Sequence, residues 1–194
     1  MAMQRNRVPE LPRGRVLLLT GLPGIGKTTV IRRVAEALAG RRLGGFLTEE
    51  VRERGRRVGF RLVPLGSAAN AGKVFAHVSF AEPTRVGRYR VAVALLDALV
   101  APALAQDNDA EICLVDEIGK MECLSPRFVS GMRGLLEGPR PLVATVAARG
   151  GGLIAEVKTR NDCVLWEATR ENRDVLSSQV LQWLEQVAPA GNDR

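Results

Sequence analysis

The sequence predicts a doubly wound α/β fold with a mainly parallel sheet flanked by helices, and three observations predict it. Short apolar runs of strand length, Val16–Leu19, Ile112–Val115, Leu142–Val146 and Cys163–Trp166, alternate with stretches of helical periodicity. The first run leads directly into the glycine-rich turn Gly21-Leu22-Pro23-Gly24-Ile25-Gly26-Lys27-Thr28, which opens the first helix. A later run ends on two adjacent carboxylates, Asp116-Glu117.

Taken in order, residues 1–13 are expected as a flexible leader, 14–189 as a single domain and 190–194 as a flexible tail. At 194 residues the chain buries one sizeable core, and a second domain would be cramped. The first strand is expected through about Thr20, followed by a helix from Lys27 to Ala39 whose apolar face is Val30, Ile31, Val34 and Leu38. Gly44 to Thr48 starts an extended segment, and Val51 to Val63, with Gly55 near its centre, reads as a hairpin or meander, a small antiparallel hairpin insertion in the sheet. Residues 66–72 read as a loop, Val74–Phe80 as a short strand, Val86–Val91 as one further extended piece and Val93–Leu104 as a helix. Beyond the carboxylate pair, Ser125-Pro126 gives an N-cap and first-turn proline for a helix carrying Phe128, Val129, Met132, Leu135 and Leu136. Ile154 and Val157 suggest a short helix, and Asp174 onward a last one.

Composition narrows the function classes. The N-terminal stretch lacks the apolar stretch of a signal peptide, and no run reaches bilayer-spanning length, so a cytoplasmic location and no membrane partner are expected. Cys113, Cys123 and Cys163 are odd in number and without metal-ligand spacing, which favours reduced, buried thiols. His77 is the only histidine, and a surface-strand role is its default. A formal charge of +7 suits a polyanionic nucleotide as well as a nucleic acid. Much of it is arginine around Gly55 (Arg52, Arg54, Arg56, Arg57, Arg61), read first as solvated hairpin surface, then as a field for substrate phosphate. Nucleic-acid contact ranks last, because aromatic pairs and other RNA-binding patterns are absent. One core accounts for the apolar positions, so a monomer is expected.

The site chemistry follows from the turn. Its pattern, Gly, four residues, then Gly-Lys-Thr, lets successive backbone N–H groups curl around a β-phosphate while Lys27 reaches the β- and γ-phosphates. The Thr28 hydroxyl is a Mg2+ ligand in such a loop, and Thr29 continues the helix that points at the anion. Asp116, at the C-terminal edge of the sheet, is the metal-side acid, and Glu117 polarises a water for in-line attack on the γ-phosphate. Lys120 is either a phosphate contact or the partner of a nearby acid such as Glu122, and Arg160 a built-in arginine finger. Glu49 either organises metal-bound water or, with Glu50, forms an acidic edge facing arginines. Thr145 either senses the γ-phosphate or is a satisfied core hydroxyl. Trp166, Asn172 and Arg173 stand where nucleobase and ribose contacts would fall, although Trp166 serves equally as core. A nucleoside, nucleotide or small-metabolite kinase is the competing reading, with the arginines as acceptor site.

These motifs, together with Gly45-Phe46-Leu47-Thr48-Glu49-Glu50, Val86-Gly87-Arg88-Tyr89, Asp116-Glu117-Ile118-Gly119-Lys120-Met121-Glu122 and Thr169-Arg170-Glu171-Asn172-Arg173, give the chain a family resemblance over about residues 14–187. It resembles the small P-loop nucleoside-triphosphatases that include the human cancer-related nucleoside triphosphatase and homologues from thermophilic bacteria and archaea. The resemblance implies a RecA-like sheet with an extra strand between the two phosphate-site motifs. It also implies slow, Mg2+-dependent hydrolysis of ATP, GTP and other nucleoside triphosphates, with Glu117 as base and Lys27, Thr28 and Asp116 as the cradle. Members usually carry an acid shortly after the Val-Gly-x-Tyr motif, where this chain has Ala92.

Overall fold

The computed structural model describes residues 14–66, 72–105 and 109–188. The leader, the tail and the centre of the 66–72 loop lie outside the described residues. The chain order is β1 (Val16–Thr20), α1 (Lys27–Ala37), β2 (Leu43–Glu53), β3 (Arg56–Pro64), β4 (Lys73–His77), β5 (Arg85–Val86), β6 (Tyr89–Val91) and α2 (Val93–Ala103). It continues with β7 (Ile112–Ile118), a 3-10 turn (Glu122–Leu124), α3 (Pro126–Glu137), β8 (Leu142–Val146), α4 (Leu153–Lys158), β9 (Cys163–Glu167) and α5 (Arg173–Val187).

All described strands form one sheet in the order β5-β6-β4-β3-β2-β7-β8-β1-β9. From β2 to β9 neighbours run parallel, and from β2 to β5 they run antiparallel. The strand β8 lies between β1 and β7, so the glycine-rich turn and the acidic pair belong to non-adjacent strands. The parallel half is buried on both faces because helices cover both. Leu17 and Leu19 of β1 pack with Val30, Ile31, Val34, Val180 and Trp183 under α1 and α5, whereas Val16 and Leu18 pack with Phe128, Met132 and Leu96 under α2 and α3.

The antiparallel portion is larger than one hairpin insertion. The expected turn is present at Arg54 (φ 47°) and Gly55 (φ 77°), flanked by the pair Glu53↔Arg56, and both residues take the left-handed conformation of a two-residue hairpin loop. Yet β3 continues into β4, and the expected single piece Val86–Val91 is a second small hairpin, β5–β6, turning at Gly87-Arg88. These strands extend the same sheet, because β2 is long enough to pair with β7 on one edge and β3 on the other. β2 meets β7 only over Leu43–Phe46, so its remainder, with β3, overhangs the C-terminal edge of the parallel strands.

Candidate active site

The turn after β1 is built by conformations that a side chain opposes. Gly21 sits against the 168–172 connection, where a Cβ would meet the Ala168 carbonyl at 2.6 Å. Gly26, at φ 114°, caps α1 without any side-chain hydrogen bond. The first-turn N–H groups of α1 therefore have no side-chain acceptor at the cap and face an anion's place. Leu22, Pro23 and Gly24 form an exposed rim, Ile25 and Thr29 flank it, and Lys27 is buried beneath. The Lys27 ammonium donates to the Gly21 carbonyl at 3.1 Å and lies 3.7 Å from Glu117 Oε1.

The acidic pair does not simply end its strand, as expected, but lies within β7 at a bulge. Regular pairing runs to Val115↔Ala144 and resumes at Ile118↔Val146, so Asp116 and Glu117 together oppose Thr145. Consecutive residues of a regular strand would face opposite sides, and a bulge re-aims one of them. Both carboxylates consequently sense Lys27.

Their environments differ. Asp116 is buried, and that burial pushes its pKa up; the Thr145 hydroxyl, which donates to Oδ1 at 2.6 Å, the Thr28 hydroxyl and the Lys27 charge pull it part of the way back. Thr145 is thus the satisfied core hydroxyl. The Thr48 hydroxyl donates to the Asp116 main-chain carbonyl, tying β2 to the site. Burial also raises Glu117, against the pull of Lys27, but 34% of its side chain stays exposed, enough for water to reach it. Asp116 Oδ2 is buried and has no hydrogen-bond partner among the described residues. A hard carboxylate oxygen of this kind beside a threonine hydroxyl fits Mg2+, which takes one or two protein carboxylates and completes its shell with phosphate and water. Among the described residues no group of three or more His, Cys, Asp or Glu is placed to hold a metal ion by itself.

Other expected site residues are placed differently. Arg160 follows α4 and precedes β9, whose first residue pairs with Val16 at the start of β1, so it lies at the edge of the sheet opposite the glycine-rich turn. There it is held by Asp162 through two hydrogen bonds of 2.9 and 2.6 Å, away from the place expected of an arginine finger. Lys120 is exposed, with no hydrogen bond or ion pair among the described residues. The acid expected to pair with it, Glu122, is instead buried in the 3-10 turn; burial pushes its pKa up to about 8, the backbone N–H groups of Glu122 and Gly119 oppose this, and the charges of Glu117 and Asp116 add to it. Glu49 lies 3.9 Å from Arg32, while Glu50 is gripped by Arg52 and Arg57. Trp166 packs against the α1–α5 core. Asn172 spends its amide within the loop, accepting from Thr169 N–H and donating to the Glu167 carbonyl, and Arg173 is exposed beside Asp174. A separate cavity of about 320 Å3 along β9, lined by Gly14 and residues 161–166, lies away from the acidic pair and gathers no comparable charged groups.

One residue was missed. Lys158, in the last turn of α4, reads in sequence as an ordinary helix-end cation. Its ammonium nevertheless donates to the carbonyls of Ala147 and Ala148 beyond β8, and it senses Glu117 and Lys27. No spacing signal reveals this, because the contact depends on where α4 returns over the sheet.

A parallel sheet carrying a glycine-rich loop at one strand end, and an acidic pair two strands away, defines the class of P-loop α/β proteins. The chain belongs to the NTPase family, whose model matches residues 16–181. It is 34% identical over 170 residues to nucleoside-triphosphatase THEP1 of Thermotoga sp. (strain RQ2), covering 87% of this chain and 95% of that protein. It is also 34% identical over 183 residues to the human cancer-related nucleoside-triphosphatase, covering 86% of this chain and 95% of the human protein. The crystal structure of THEP1 from the hyperthermophile Aquifex aeolicus matches the fold with a TM-score of 0.76 at 36% identity, over 87% of this chain and 98% of that one.

Proposed function

We propose that this protein hydrolyses nucleoside 5'-triphosphates, ATP and GTP among them, to the nucleoside diphosphate and phosphate, using Mg2+, with broad base preference and slow turnover. The observation that carries the reading is the bulge that turns both Asp116 and Glu117 towards Lys27. The names of its relatives, nucleoside-triphosphatases, support it. Asp116 and the Thr28 hydroxyl would hold Mg2+, and the bound ion would neutralise charge on the triphosphate oxygens. The turn and the α1 N-terminus bind and orient the phosphates, with Lys27 as the point charge between them. Glu117 takes the proton of the attacking water as the new O–P bond forms, and the bridging P–O bond breaks with its electron pair leaving on the diphosphate. Solvent then receives the proton. The packing of Ala168 on Gly21 supports placing the nucleoside along the 168–172 connection, with Trp166, Asn172 and Arg173 as its contacts.

Glu117→Gln is expected to keep triphosphate binding, measured by calorimetry, while phosphate release falls by about 10^2- to 10^4-fold. Lys27→Ala is expected to impair both. Unchanged phosphate release in the glutamine variant removes Glu117 from the chemistry, and label appearing on an added acceptor faster than in free phosphate replaces hydrolysis by a kinase. We read the protein as a cytoplasmic monomer, a reading supported by its three free cysteines and by core clusters packed on the two faces of one sheet. Among the described residues no helix is long and apolar enough to cross a membrane.

A further inference from the structure

Transfer of a phosphoryl group to water spreads negative charge over its oxygens, and a cation facing that group from the side opposite the phosphate loop commonly neutralises it. Of the two residues that the sequence offered for this, Arg160 lies at the wrong edge of the sheet and Lys120 is solvated without a partner. Arg32 and Arg57 are already engaged by Glu49 and Glu50.

Lys158 is placed otherwise. The helix α4 starts after the loop that leaves the C-terminal end of β8, and side chains on a helix tilt towards its N-terminus. The Lys158 side chain is thereby carried back to that edge, where Nζ donates to Ala147 and, at 2.9 Å, to Ala148. Ala147 N–H in turn donates to the carbonyl of Ile118 at 3.1 Å, the residue after Glu117. An ammonium has three N–H donors, and only two have partners among the described residues. Its charge is felt by Glu117 and by Lys27, so it stands within the field of both groups that flank the terminal phosphate.

We propose that Lys158, anchored on the Ala147 and Ala148 carbonyls beside Glu117, is the catalytic cation that meets the transferred phosphoryl group. This rests on the hydrolase reading above and adds to it a residue that neither the phosphate loop nor the acidic strand contains. The role is to stabilise charge; no proton or bond changes hands at Lys158.

The test compares wild type with Lys158→Gln, which keeps N–H donors for the two carbonyls but removes the charge, and Lys158→Arg, which keeps the charge. Three quantities are read: phosphate release, affinity for an imido-triphosphate with Mg2+, and retention of a fluorescent nucleoside diphosphate induced by aluminium fluoride, a planar mimic of the phosphoryl group in flight. The glutamine variant is expected to bind the imido-triphosphate within about threefold of wild type while kcat falls by about 10^2- to 10^3-fold. Its fluoride-dependent retention should fall at least about tenfold, and arginine should restore most of both losses. Turnover and retention within threefold of wild type in the glutamine variant overturn the proposal. An equal loss of imido-triphosphate affinity also overturns it, by assigning Lys158 to ground-state binding. A wild type that releases no phosphate from any triphosphate overturns the hydrolase reading and this inference together, whereas an active glutamine variant overturns the inference alone.

Discussion

Glu122 is buried within the field of Glu117 and Asp116, and its position carries a cost that depends on pH. Its carboxyl is fully enclosed in the 3-10 turn and has its pKa raised to about 8 from 4.5. Folding therefore favours the protonated form. The stability it contributes is fully present below about pH 4.5, the unfolded value, and is lost as pH rises through the folded value, because between the two the native state binds a proton that the unfolded state has released. The slope is on the order of 1 kcal/mol per pH unit in that window. In Mg2+-free buffer the urea midpoint is accordingly expected to fall between about pH 6 and 8 and to flatten above. Asp116 and Glu117, also raised by burial, add slope of the same sign, so Glu122→Gln should reduce the slope without removing it; a midpoint with the same pH dependence in both proteins contradicts the assignment. Thr145 carries the opposite kind of role. Thr145→Val leaves Asp116 Oδ1 without its donor at 2.6 Å and is expected to cost about 1–3 kcal/mol of unfolding free energy, read from denaturant titration.

At the scale of elements, the helix α3 shows local sequence and packing in agreement. Ser125 accepts from Phe128 N–H at 2.9 Å, Pro126 opens the first turn, and the same hydroxyl donates to Asp97 of α2. The cap thus also joins the two helices that cover one face of the sheet. Ser125→Ala should destabilise by about 1–2 kcal/mol, more than a solvent-exposed cap, since Asp97 loses its donor too. Equal destabilisation by Ser125→Ala in an Asp97→Ala background would show that the helix cap alone matters. The strand β7 is the contrasting element. Its apolar residues and acidic end are plain in the sequence, but nothing local predicts that Asp116 and Glu117 share one partner position. Register is a property of two strands, and the bulge exists only against β8.

For the whole molecule, the loop and the acidic pair come from segments about ninety residues apart, and β8 between their strands spaces them. Binding of a ligand across such a site would couple to global unfolding, because a ligand that binds the native state and not the unfolded chain stabilises the fold. At about 100 times Kd, Mg2+ with an imido-triphosphate should stabilise the fold by about 2.7 kcal/mol, a rise in Tm of roughly 5–11 °C for a chain of this size. A melting temperature unmoved by any triphosphate speaks against the assembled site, and a rise that persists in excess chelator speaks against Mg2+. The overhanging β2–β3 hairpin gives the other large-scale feature. Its arginines are partly neutralised by Glu50, which two of them grip, so the net charge of +7 overstates the field there.

Periodicity, the Gly-rich spacing and the Ser-Pro cap sufficed for the helices, the parallel strands and the phosphate loop, because each is set by contacts within a few residues. The loop glycines and Lys27 are legible for the same reason, since their conformations and reach are local. What tertiary structure alone decided was everything that depends on which strand lies beside which. That covers the growth of the antiparallel half beyond one hairpin, the bulge that turns both carboxylates to one side and the burial of Glu122. It also covers the positions of Arg160, paired with Asp162, and of Lys158, anchored on the Ala147 and Ala148 carbonyls. Arg160 and Lys158 are two residues apart in the chain, yet the first ends at one edge of the sheet and the second reaches back to the other, because a helical side chain's direction has meaning only once the helix is docked.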